Sequence, residues 1–377
     1  MAGEWKPIFV LPNVPLQGAI GCDIAAIAPT NDPRVAALKR AQPAFRGFLN
    51  RFSDNFGEKF EPAVLLVRAD AGSKFFEVTT LASFRDLIAI STIVHGRALA
   101  LCHPYGHHVM FGEAFAIYPW MLDKDYEDVK GSTPAILGRH EVAKFKGQSS
   151  PTVFRVALDS GNLDRPLLTA LLGRWRQRYA ALEPSRADIA LFRSLNMAYH
   201  ASLLPAATDT TFYDVGRLIS LWVSAFEILV HPGGNGRADR NKVFELIEKT
   251  PWQLAATADR AYDRGGKSKV KRTLASWLYQ ALYDCRNNFL HGNPVEPRDL
   301  ILPVSGATVF GYAAPLYRLA LTAFLQLTYD KPMPSTSDAE AFGAYVADHM
   351  DFIGPQRCIE KAILTAATGA SATTGSG

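Results

Sequence analysis

The chain has 377 residues, 48% of them hydrophobic and 20% charged. These are the proportions of a globular protein, and they exclude disorder over most of its length. Basic residues number 40 against 36 acidic, a net +4, too small an excess to mark a polyanion binder by itself, although local basic stretches are compatible with it.

At about 100–200 residues per domain, the length predicts two or three domains. Short apolar runs at 8–11, 22–28 and 63–67, bounded by Pro, Asn, Asp and Gly, predict strands. Over 35–56, Leu38, Ala41, Phe45, Phe48, Leu49 and Phe52 recur at helical spacing, with Pro43 as either an interruption or the true start. A helix is expected at 81–101, strand-like structure at 109–119, a charged exposed stretch at 123–131 and a further strand at 154–158. The loop chemistry of KFKGQSSP at 144–151 precedes the domain boundary.

The second half predicts helices. A linker helix at 166–182 carries Arg174, Arg176 and Arg178, and Pro184–Ser185 starts a helix at 186–204. At 212–230, Phe212, Val215, Leu218, Ile219, Trp222, Phe226 and Leu229 form one apolar stripe, which ends at His231-Pro232-Gly233-Gly234. Further helices fit 239–249, 252–263, 270–290 and 313–329, then 340–350 and 357–365. The small, polar end ATGASATTGSG is expected to be disordered.

The expected fold class is α+β: an N-terminal mixed α/β domain over 1–165, a linker helix at 166–185, a C-terminal helical bundle at 186–331, a helical extension at 332–366 and a tail at 367–377. No signal peptide or membrane span is predicted. Cys22, Cys102, Cys285 and Cys358 are scattered without a CxxC pair, which argues against a disulfide framework or a cysteine zinc site and for a reducing, cytoplasmic setting. His95, His103, His107, His108 and His140 cluster in the first half. The spacing in CHPYGHH matches no standard zinc pattern. Neither GxxxxGK[ST] nor GxSxG occurs, so the expectation is no metal and no cofactor.

The informative segment is LYDCRNNFLHGNPV at 282–295. It sets Arg286 and Asn287 near the end of an apolar-patterned helix and His291 five residues after the arginine, where Gly292, Asn293 and Pro294 stop the helix. Arg286 supplies a permanent charge and a planar fork for phosphate oxygens. His291 can transfer protons near neutral pH. On a regular helix the two stand about 140° apart, so they converge only if the helix ends near His291 or a second copy completes the site. A bland alternative has Arg286 paired with Glu227 or Asp284 and His291 merely capping the helix. Glu227 lies beside the apolar stripe of its own helix, either as the carboxylate that holds Arg286 or as a surface residue.

Arg260, Arg264, Lys267, Lys269, Lys271 and Arg272 precede the motif helix and outnumber Asp259 and Asp263. They either track a phosphate backbone or form a solvated face, and Arg174, Arg176 and Arg178 admit the same two readings.

The Arg286-Asn287…His291 arrangement, preceded by LISLWVSAFEILVHPGG at 218–234, resembles the HEPN helical-bundle domains, and within them the Apea-like group. The resemblance covers about 186–330. It implies metal-independent RNA cleavage without a cofactor, often at two sites paired across a homodimer. In it Arg286 stabilises the phosphate, His291 transfers protons, Asn287 orients and Glu227 supports, with Lys267, Lys269, Lys271 and Arg272 as RNA contacts. The family also suggests a prokaryotic defence or toxin role with a regulatory or antitoxin partner. Two alternatives stay open: a non-catalytic RNA- or nucleotide-binding and dimerisation module, and a metalloenzyme in the first half.

Overall fold

A computed structural model describes residues 4–118, 120–123, 125, 127–132, 137–150, 156–204, 211–263 and 270–368. The protein is of mixed type, with a small sheet toward its N-terminus and helices toward its C-terminus, an α+β organisation. Of the expected strand at 154–158, residues 154 and 155 lie outside the described residues, and of the other three only Leu158 pairs, in an isolated parallel bridge with Leu16. The tail from 369 also lies outside them. Among the described residues, no helix is long and apolar enough to cross a membrane.

Two compact units are interleaved along the chain. The first comprises Met1–Ala89, Phe111–Gly161 and Trp175–Glu183. The second comprises Ile90–Met110, Asn162–Arg174 and Pro184–Gly377. A single cut near 166–185 therefore does not describe the division, because segments 90–110 and 162–174 belong to the helical unit.

In the first unit, β1 (Trp5–Leu11), β2 (Ile20–Gly21), β3 (Ala25–Ala28) and β5 (Ala63–Arg68) form a sheet in the order β1-β5-β3-β2, all neighbours antiparallel. Pro7 sits on the edge strand β1, where its missing N–H costs no ladder bond, and the register shifts beside it. The expected 35–56 helix divides at Pro43 into α1 (Pro33–Ala41) and α2 (Pro43–Leu49), each with a proline in its first turn. The short β4 (Phe52–Ser53) pairs in parallel with β9 (Gly147–Gln148), while β6 (Trp120–Leu122), β7 (Asp128–Ser132) and β8 (Leu137–Glu141) make a small antiparallel sheet. Val10, Phe45, Phe48, Phe52, Val64 and Leu66 are part of one buried cluster.

Helix α3 (Val78–Cys102) follows its predicted span closely. The described residues of the 109–119 segment, 109–118, do not form the expected strand. Arg97 donates from Nε to the Met110 carbonyl at 2.9 Å, and a 3-10 turn occupies Gly112–Phe115, so these backbone groups are satisfied without a strand partner.

The helical unit includes part of α4 (Arg165–Ala180) together with α5 (Arg186–Ala201), α6 (Phe212–Val230), α7 (Arg240–Glu248), α8 (Ala255–Ala258), α9 (Leu274–Leu290), α10 (Ala313–Leu325) and α11 (Ala339–Thr368). Helix α6 matches its prediction because a Thr211–Asp214 capping box fixes its start and its apolar stripe is buried. Ser194 on α5 donates to the Ala225 carbonyl at 2.6 Å, tying α5 to α6.

Four expected helices change. The 252–263 helix shrinks to α8, because the buried Glu360 carboxylate accepts from the Gln253 and Leu254 backbone N–H groups and from Thr257 Oγ1. Helix α9 starts at 274, where Thr273 accepts from the Ser276 N–H. The 340–350 and 357–365 helices merge into α11 with Pro355 inside, which gives up one backbone donor there.

Candidate functional site

Helices α6, α7 and α9 bring together the polar groups that the motif singles out. Helix α6 packs against α9 through Gly216 and Phe289 at one end and Phe226 and Tyr279 toward the other, with the latter rings 4.9 Å apart. The two helices therefore run antiparallel. Tyr279, Tyr283 and Arg286 recur at four and three residues on α9 and share one stripe. Phe244 of α7 closes on this stripe edge-on to Tyr279, at 5.8 Å.

Arg286 is half-buried. Its Nη1 donates to the Asn287 side-chain carbonyl at 3.0 Å, and its guanidinium lies over the Tyr283 ring at 5.8 Å from the centroid. Its Nε is buried and has no hydrogen-bond partner. Glu227, half-buried on α6, lies within electrostatic reach. Burial pushes its carboxyl pKa up and the Arg286 charge opposes that shift. The net upward direction shows that desolvation outweighs the attraction, and no ion pair within 4 Å joins the two. Asp284, the other carboxylate considered for Arg286, accepts from Gln280 Nε2 at 2.6 Å.

Tyr279 is fully buried, and its hydroxyl has no hydrogen-bond partner. Burial pushes its pKa well up, Glu227 and Tyr283 add to that, and Arg286 and Arg240 oppose it. Both guanidiniums therefore act on the same phenol oxygen. Arg240, in the first turn of α7, stacks over Tyr283 at 5.3 Å and over Phe244 at 5.9 Å.

His291 caps α9 and is exposed. Gly292 follows with φ +70°, and the Asn293 N–H donates to the Asn288 carbonyl at 3.1 Å, which closes the helix with a Schellman turn. Helical side chains lean toward the N-terminus, and Arg286 leans back over Tyr283, three residues earlier. Its guanidinium thus heads away from His291. The chain brings Arg286, Asn287 and Glu227 together and leaves His291 apart from them.

Of the predicted RNA contacts, Lys267 and Lys269 lie outside the described residues, as does Arg264. Lys271 is exposed. Arg272 is not an open cation: it pairs with Glu248 at 3.3 Å and stacks on Phe244 at 4.0 Å, while Arg260 takes the other Glu248 oxygen at 2.9 Å. Arg174 pairs with Asp188 at 2.6 Å and Arg176 with Asp23 at 3.2 Å. These arginines are thus engaged in ion pairs within the chain.

Sequence reasoning missed Arg240, Tyr279 and Tyr283. The two tyrosines carried a usable signal in their spacing from Arg286, whereas Arg240 reaches the stripe from a separate helix. Among the described residues, no three His, Cys, Asp or Glu side chains are grouped to hold a metal ion. No family model, curated protein or solved structure matches the chain.

Proposed function

We propose that the protein is a metal-independent ribonuclease of the HEPN type, acting in the cytoplasm as a homodimer in prokaryotic defence or as a toxin. The observation that carries this reading is the half-buried Arg286, bonded to Asn287, facing Glu227 and joined by an ion pair to no carboxylate among the described residues. The defence role and the antitoxin-type partner rest on the resemblance alone.

RNA can be cut without a metal when a 2′-hydroxyl attacks the adjacent phosphorus. The 2′-oxygen loses its proton, the O2′–P bond forms, the P–O5′ bond breaks and the leaving oxygen gains a proton. Arg286 stabilises the crowded phosphorane, whose charge a guanidinium fork matches. His291 transfers protons between the 2′-oxygen and the leaving 5′-oxygen. Asn287 holds the Arg286 fork in place, and Glu227 supports it. Because Arg286 leans away from His291 within one chain, the pair acts across two copies. The first unit selects the target or holds the enzyme silent.

That same divergence also favours a second reading, in which the helical unit binds RNA and dimerises without cutting. A mixed RNA pool incubated in EDTA with wild-type and H291A protein decides between them. Products ending in 2′,3′-cyclic phosphate, absent with H291A, support the ribonuclease. Salt-sensitive binding without products supports the binding module. Cleavage that survives both R286A and H291A removes the proposed site.

A further inference from the structure

We infer that Arg240 and Arg286, stacked together on Tyr283, form a two-guanidinium clamp for the RNA phosphodiester backbone, with Arg240 the second phosphate-binding residue of the site. The inference rests on the RNA reading above and extends it to α7.

The first argument is charge. Several other arginines of the helical unit are held by carboxylates: Arg272 and Arg260 share Glu248, Arg174 pairs with Asp188, and Arg318 with Asp164. Arg240 and Arg286 instead share one aromatic ring, at 5.3 and 5.8 Å, and neither joins an ion pair among the described residues. Two like charges on one ring repel, and an anion between them removes that cost. Burial disfavours the ionised form of Glu227, so the one carboxylate acting on Arg286 neutralises it weakly.

The second argument is hydrogen bonding. Arg286 Nε and the Tyr279 hydroxyl are both buried without partners. Buried donors are rarely left over, and each such group calls for an explanation. Arg286 Nε belongs to the clamp itself, and Tyr279 lies one turn before Tyr283 on the same stripe of α9. Arginine suits this place because its planar fork stacks on an aromatic face and carries N–H groups beyond the one that Arg286 gives to Asn287.

The third argument is position. Arg240 approaches from α7, outside the motif on α9, so the clamp holds a phosphodiester from two helices at once.

The test uses the full-length protein and a single-stranded 2′-O-methyl RNA oligonucleotide, which lacks the attacking hydroxyl and so reports binding without cleavage. Fluorescence anisotropy in EDTA is recorded across a salt series for wild type, R240A, R240Q and R286A. The clamp predicts that R240A and R240Q each weaken binding about tenfold or more and flatten the log–log salt slope by roughly 0.7–1, the loss of one phosphate contact. R240Q keeps a longer side chain than alanine without the charge and carries the test should R240A fail to fold. Wild-type affinity and slope in either folded variant, or no oligonucleotide binding by wild type, overturns the clamp. Failure of the ribonuclease reading looks different: Arg240-dependent binding persists, but wild type yields no cyclic-phosphate products from cleavable RNA. Conversely, RNA cleavage and oligonucleotide binding that R240Q leaves unchanged would retain the ribonuclease and remove the clamp.

Discussion

A Cβ placed on Gly216 of α6 would lie 2.5 Å from the Phe289 ring of α9. In an exposed helix interior, replacing Gly by Ala stabilises by about 1 kcal/mol. Here the added methyl meets the root of an aromatic ring also packed against Phe212 at 5.5 Å, so overpacking decides the sign. We expect G216A to destabilise the protein by about 1–3 kcal/mol, read as a lower urea midpoint. A raised midpoint would show that α6 and α9 do not meet at this residue.

Glu227 gives a pH-dependent prediction. Its folded pKa is raised above the ordinary 4.5 by burial, against the opposing Arg286 charge. The charged form is therefore disfavoured on folding. Stability is greatest when the carboxyl is protonated and falls as pH rises from the unfolded value through the folded one. The groups that couple to it are Arg286 and Tyr279 on α9, and Arg240 on α7 acts on the same tyrosine. At neutral pH, E227Q should melt higher than wild type, and the gap should close below the ordinary glutamate range. A lower melting temperature at neutral pH would mean that attraction to Arg286 outweighs burial.

The sequence made α3 and α6 legible because each carries enough apolar residues to specify a helix by itself, and α6 also has a local start signal. The 252–263 helix was not legible as it stands. Glu360, distant in sequence, captures the N–H groups of Gln253 and Leu254, and no local pattern reports that. The site divides the same way. Arg286, Asn287 and His291 lie within one short motif and could be read as a unit. The lean of Arg286 toward Tyr283 follows from helix geometry, but its meeting with Arg240 depends on how α7 docks. Cysteine spacing pointed to four scattered thiols, yet Cys102 and Cys358 meet in the fold.

That meeting is testable by oxidation. Cys102 and Cys358 act on each other's thiols: Cys358 lowers the Cys102 pKa, Cys102 raises that of Cys358, and Lys361 pulls both down. Cys102 is therefore the better attacking thiolate. With a small-molecule disulfide as oxidant, Cys102 should form a mixed disulfide and release one thiol. Cys358 should then displace the second thiol and close a Cys102–Cys358 bond. Mass spectrometry should show the linked peptides and the loss of two hydrogens, and C102S should abolish both. Linkage of Cys22 or Cys285 instead would contradict the contact.

The strongest stability prediction concerns Arg318 and Asp164, at 2% and 0% side-chain exposure. Arg318 donates from Nε at 2.5 Å and from Nη2 at 3.2 Å to the two Asp164 oxygens, and from Nη1 to Gln356 at 3.0 Å. Asp164 also caps α4 by accepting from the Leu167 N–H at 3.1 Å. D164N keeps a competent cap but strands a guanidinium away from water, so it isolates the charge effect. Breaking a buried pair in this way costs about 3–5 kcal/mol. D164A should cost about 1 kcal/mol more, because the cap is lost as well. Adding R318M to D164N should recover much of the loss, since the stranded charge is then gone. Equilibrium urea unfolding of the three variants measures each step. A D164N loss below about 1 kcal/mol would show that water reaches Arg318 and that the pair is not sealed in the core.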